Sequence, residues 1–142
     1  MWRADWTGLV LAAALAGCSQ PSQPPDTGAR AAAQGFIEAL RRRDWSDAYG
    51  RLHAESQTRY SQEQFQRRAE QYHRDLGFEP QTAHVVSCEE HAEEVLTHIV
   101  LIGRIRGRQR RYKDLVVLRP GEKGWGVVLL PHFGQGRKAG SQ

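Results

Sequence analysis

The chain reads as an α+β domain in which three N-terminal helices pack on a curved, four-stranded antiparallel meander, cone-like in outline. Three observations predict it. Apolar residues recur at helical spacing between Thr27 and Leu76, and the period changes to two after Pro80. The period-two segments are separated by short polar turns, as in consecutive hairpins. Helices followed by strands bury their apolar stripes on one face of the sheet.

The first helix begins after Asp26-Thr27, either of which can accept the free N–H groups of a first turn. Ala29, Ala32, Ala33, Phe36, Ile37 and Leu40 form its stripe, and Gly35 within it predicts a close backbone contact. Arg41, Arg42 and Arg43 close it where its dipole is negative. Asp44-Trp45-Ser46-Asp47 is a capping-box variant opening a short second helix with Trp45, Ala48, Tyr49 and Leu52 inward. Ser61 to Gln64 repeats the capping logic, Phe65, Ala69, Tyr72 and Leu76 follow as the buried face, and Gly77 ends the third helix.

Strands are predicted over Thr82–Cys88, Val95–Arg106, Arg111–Leu118 and Trp125–Leu130. Glu89 to Glu93, Gly107 to Gln109 and Pro120 to Gly124 are the turns between them. In the long strand Val95, Thr97, Ile99 and Leu101 share one face, and Leu96, His98, Val100 and Ile102 the other. Both faces are apolar, so the sheet is covered on more than one side or forms a homodimer through its outer face.

This order of elements resembles the nuclear-transport-factor-2-like superfamily, a cone-shaped fold with a curved sheet wrapped around helices. The resemblance lies in Ala33-Gln34-Gly35-Phe36-Ile37-Glu38-Ala39-Leu40, in Asp44-Trp45-Ser46-Asp47-Ala48-Tyr49 and in Gly124-Trp125-Gly126-Val127-Val128, and it covers Thr27 to Pro131. It implies a cone whose mouth serves enzymes such as ketosteroid isomerase-like proteins, ligand-binding modules, or envelope domains that only bind partners. Such a fold does not choose among them. No isomerase catalytic pattern matches residue by residue, so no catalytic residue, cofactor or metal is carried over.

Ahead of the domain, Leu15-Ala16-Gly17-Cys18 follows the apolar run Leu9 to Ala14 and is similar to the lipobox of a bacterial lipoprotein signal peptide. The run is about ten residues, whereas a spanning helix needs roughly twenty. Residues 1–17 are then the signal peptide. Residues 18–26 are a lipidated Cys18 and a flexible linker bearing Pro21, Pro24 and Pro25; 27–131 are the domain, and 132–142 a disordered tail. A secretory signal cut at an ordinary small-residue site, with Cys18 incidental, is the alternative. The lipobox reading places the chain on the outside of a bacterial membrane, as a tethered binding or assembly module of the cell envelope. Cys18 and Cys88 are the two cysteines in the chain, so with Cys18 lipidated no disulfide framework holds the fold.

The net charge of +4 suits anionic headgroups, glycans or an envelope protein but is too small and dispersed for nucleic acid. The densest charge is Arg104, Arg106, Arg108, Arg110, Arg111 and Lys113 around one hairpin tip. Either it binds anions, or it is a solvated turn whose arginines discourage edge-to-edge pairing. Trp45, Tyr49, His98, Tyr112, Asp114 and Trp125 are candidates to line a pocket for an apolar ligand, in a small enzyme or carrier. Asp114 shares a face with Tyr112, Val116 and Leu118. It is either a buried carboxylate able to move a proton beside a carbonyl, with Tyr112 donating to the oxyanion, or a partner of arginines across the hairpin. Cys88 and His91 with Glu89, Glu90, Glu93 and Glu94 match no zinc spacing, and His53, His73, His84 and His132 form no constellation with His98.

Overall fold

A computed structural model describes residues 27–136. The expected signal peptide, Cys18 and linker, and residues 137–142, lie outside the described residues. The order of elements is α1 (Ala29–Arg41), α2 (Trp45–Gly50), α3 (Ala54–Arg59), α4 (Gln62–Leu76), β1 (Pro80–Glu90), β2 (Val95–Ile105), β3 (Arg108–Gly121) and β4 (Gly124–Val128). The sheet is an antiparallel meander in the order β1-β2-β3-β4, as expected.

Among the described residues the helices number four rather than three. The extra one, α3, has no apolar stripe, and Ser56 is its one buried residue. It is held by one local and one distant bond: the His53 ring accepts from the Glu55 N–H at 3.2 Å, and Ser56 Oγ accepts from the Leu129 N–H at 2.9 Å. Asp44 caps α2, accepting from the Asp47 N–H at 3.1 Å. At α4 both halves of the Ser61/Gln64 box are made, at 2.9 and 3.2 Å, and Gly77 closes the helix in the left-handed conformation. The cap expected for α1 is different. Its N-cap is Gly28 at φ 88°, and Thr27 instead donates to Glu90 at 3.2 Å. The arginine run at the end of α1 is spent on carboxylates, Arg41 on Glu38 and Arg43 on Glu79, each at 2.9 Å.

One sheet face packs on the helices. Ala83, Val95, Thr97, Ile99, Leu101, Val116 and Leu118 point inward and are buried with Phe36, Ile37, Leu40, Phe65, Ala69 and Leu76. The edge strand β1 bulges between Val85 and Ser87. There the Gln34 amide donates to the Ala83 carbonyl at 2.8 Å and accepts from the Val85 N–H at 3.1 Å, so α1 occupies hydrogen-bonding groups that would otherwise template another strand. On the far side, the α2–α3 connection runs parallel beside β4. His53 N–H donates to the Val127 carbonyl at 2.7 Å, and Val127 N–H to the Arg51 carbonyl at 3.0 Å.

Residues 132–136, expected to be disordered, form a turn folded back on α4. The Arg68 guanidinium donates to the carbonyls of Pro131 and Phe133 at 3.2 and 3.0 Å, and Phe133 stacks on Phe65 and Tyr72 with ring centroids 6.2 and 4.8 Å away. One aromatic and one arginine anchor a polar, glycine-rich segment.

Candidate functional site

Between α1, α4 and the inner face of the sheet lies a cavity of about 210 Å³. Phe36 and Leu40 on α1, Leu76 on α4, Ile99 on β2 and Val116 on β3 give it apolar walls, and the Phe133 turn covers one side. Its polar groups are few: Tyr72 and Asp75 from α4, Tyr112 and Asp114 from β3, and His132 at the rim. Drug-sized ligands occupy roughly 300–1,000 Å³, so this space suits something smaller.

Asp114 stands opposite Ile99 in the β2–β3 ladder, on the inward face. The Tyr72 hydroxyl donates to its Oδ2 at 2.9 Å, and the Leu115 N–H to its Oδ1 at 2.8 Å. The strand thus supplies the carboxylate and α4 supplies its partner. Pairing of Asp114 with arginines across the hairpin is overturned, since none of the ion pairs among the described residues includes it. Alternation along β3 is the reason: the neighbouring cations Arg111 and Lys113 point to the other face. An ionised carboxylate accepts about four hydrogen bonds, so Asp114 retains capacity for a ligand.

Tyr72 is 7% exposed. Burial, and then the Asp114 charge, push its pKa well above the ordinary tyrosine value, so it stays a neutral donor. Its ring meets Tyr112 edge-on at 6.1 Å and 80°. The sequence presented Tyr72 as an apolar position of a helix stripe. Its hydroxyl became informative once α4 was seen to cross β3 at Asp114.

Of the other pocket candidates, only Tyr112 lines the cavity. Trp45 packs edge-on against His73 at 5.5 Å. Tyr49 donates to the Tyr60 carbonyl at 2.8 Å and ties α2 to the end of α3. Trp125 donates to the Thr27 carbonyl at 2.7 Å, closing the start of the domain. His98 is exposed on the outer sheet face, 3.4 Å from Glu89, because strand alternation turns it away from Thr97 and Ile99. The segment from Glu89 is partly strand, not wholly turn: Cys88 faces Thr97 while Glu89 points to the opposite face. The cluster Arg104, Arg106, Arg108, Arg110, Arg111 and Lys113 is exposed at the β2–β3 hairpin, and none of its members lines the cavity.

No family model matches the chain, and no curated protein sequence matches it. Solved structures do. A ketosteroid isomerase-like protein from Erwinia carotovora atroseptica aligns over 72% of this chain and 91% of its own, at 14% identity and a TM-score of 0.52. A protein proposed to be a nuclear-transport-factor-2-like transpeptidase, from Campylobacter jejuni, aligns over 69% and 94%, at 10% identity and a TM-score of 0.50. The fold is nuclear-transport-factor-2-like. In this cone the open meander forms the curved wall and α1 and α4 fill its inside. The sequence resemblance therefore named the architecture correctly, and the cavity is the space the helices leave at the Asp114 end of the inner face.

Proposed function

We propose that this chain is a membrane-tethered binding module of the bacterial cell envelope whose cone holds a small, mostly apolar ligand by a hydrogen-bond donor or cationic group set on Asp114. The observation that carries the ligand reading is a carboxylate inside an apolar cavity, oriented by Tyr72 and still able to accept. The polar lining has two carboxylates, Asp75 and Asp114, so an amine or hydroxyl is favoured over an anionic head group. The tether reading rests on the Leu15 to Cys18 lipobox resemblance. One acyl chain gives marginal attachment and two or more give stable attachment.

Each half has its own test. Small cyclic and alkyl amines, alcohols and carboxylates are screened by thermal shift against the wild type and Asp114→Asn. The expected result is stabilisation by amines or alcohols, lost in the variant; preference for carboxylates, or equal stabilisation of both proteins, would refute the Asp114 assignment. Intact mass of the membrane-extracted chain should reveal an acylated Cys18 as first residue, absent in Cys18→Ala. An unmodified chain removes the tether and leaves the cavity reading standing.

A second reading, proton transfer beside a carbonyl, draws on the same carboxylate with Tyr112 next to it. Tyr72 would position Asp114 without itself giving up a proton. Turnover of a ketosteroid panel that Asp114→Asn abolishes would favour it, and absence of wild-type turnover would end it.

A further inference from the structure

The six cations around the β2–β3 hairpin differ from Arg119, the other arginine on the strands. Arg119 on β3 pairs with Glu55 at 2.9 Å and Glu94 at 3.5 Å. Arg104, Arg106, Arg108, Arg110, Arg111 and Lys113 are all exposed, and among the described residues none makes an ion pair. The ladder register sorts them. Arg104, Arg111 and Lys113 project from the outer face, and Arg108 and Arg110 from the inner one. Same-face neighbours along β3 are about 6.7 Å apart, so each face carries a short rail of charge. Acidic Glu89, Glu90, Glu93 and Glu94 gather at the other end of β2, leaving the sheet polarised end to end.

The turn itself is unusual. Arg106 and Gly107 link the strands with φ of 50° and 77°, a two-residue connection of the kind that favours Asn, Asp or Gly at both positions. A left-handed arginine costs about 1–2 kcal/mol relative to an unstrained one. The chain carries at the apex a residue that is costly there and adds one more cation.

We propose that this hairpin tip is a binding site for a linear polyanion without bases, such as an acidic glycan or a phosphate polymer. Two other anionic surfaces fit less well. Nucleic acid binding without sequence preference draws on aromatic stacking, and the aromatics beside these cations are engaged elsewhere: Phe78 packs against Gly103 and the core, and Tyr112 lines the cavity. A membrane surface is disfavoured by where the domain begins: Thr27 hydrogen-bonds Glu90 and Trp125, at the acidic end of the sheet. β2 has 11 residues, so the tip lies about 33 Å from that end. This last point rests on the proposed Cys18 tether, whereas the charge geometry does not.

The full chain, in detergent, is titrated with a heparin oligosaccharide and separately with inorganic polyphosphate, which distinguishes sulfate- and carboxylate-bearing from phosphate-bearing polymers. With about four cations engaged, affinity should fall roughly 100-fold between about 50 and 200 mM salt. Arg108→Glu with Arg110→Glu should weaken binding by about tenfold or more, while Arg59→Glu with Lys123→Glu, equal in charge change, leaves it unaltered. Asp114→Asn should bind as the wild type does, which separates this site from the cavity. Three results would overturn the proposal: no binding at low salt, equal loss in both double variants, or stronger binding to single-stranded DNA or phosphatidylglycerol vesicles than to either polymer.

Discussion

Replacing Tyr72 by phenylalanine removes one oxygen and keeps the ring that stacks on Phe133 and meets Tyr112. What is lost is the 2.9 Å bond to Asp114 Oδ2. Hydrogen bonds to charged groups contribute about 1.5–3 kcal/mol, against about 1 kcal/mol for neutral ones. Asp114 is half-buried, so water recovers part of the loss, and its Oδ1 still accepts from the Leu115 N–H. The expected destabilisation is therefore near the lower end, about 1.5 kcal/mol, or roughly 6 °C in Tm for a domain of this size. Urea unfolding measures it directly. Asp114→Asn and the double variant complete a cycle in which the coupling should be about 0.5 kcal/mol, since the amide leaves Tyr72 a neutral bond of about 1 kcal/mol in place of one of about 1.5 kcal/mol. If Tyr72→Phe unfolds at the same urea concentration as the wild type and the coupling is zero within a few tenths of a kcal/mol, the pair does not organise the cavity.

Three other outcomes follow from the packing. His73 is 6% exposed; its Nε2 lies 2.6 Å from the Leu40 carbonyl, and its Nδ1 has no partner among the described residues. Burial lowers its pKa, against the Leu40 hydrogen bond, with Arg43 also lowering and Glu79 opposing, so the unfolded chain takes up the proton first. Its contribution is complete above the unfolded value of about 6.5 and is lost as pH falls from there to the lower folded value, so His73→Gln should flatten the Tm–pH curve in that window. Arg106→Asn should raise stability by about 0.5–1 kcal/mol, read by urea unfolding, because asparagine tolerates the left-handed conformation; a loss would contradict the turn geometry. Gly126→Ala should cost about 1–3 kcal/mol in the same assay, since a Cβ there would sit 2.6 Å from His53 Cα, backbone that cannot rotate away.

Periodicity carried most of the fold. The strand faces of β2 and β3 were legible because alternation fixes which residues share a side, and this put Asp114 on one face with Tyr112 and Val116; that this face is the inward one came from the packing of the helices. Capping chemistry placed the starts of α2 and α4 for the same local reason. The failures are non-local. The short helix α3 is held by Leu129 and by the His53 ring rather than by a stripe, and the Phe133 turn by one aromatic and one arginine. Trp45, Tyr49 and Trp125 are large and partly polar, which suggested a pocket, yet each spends its ring or polar atom on tying helices and termini together.

The cavity's chemistry therefore depends on a crossing that no local pattern encodes. A tyrosine on a helix stripe is ordinarily packing, and an aspartate flanked by a lysine in a strand is ordinarily solvated. Here α4 crosses the inner sheet so that the stripe's only hydroxyl meets the strand's only inward carboxylate. Tyr72 is kept protonated by burial and by the charge it donates to, and Asp114 is held in one orientation by that donor and by its neighbour's amide. A carboxylate fixed in this way loses little freedom when a ligand arrives, so even a cavity of about 210 Å³ can discriminate by the direction of a single donor rather than by contact area.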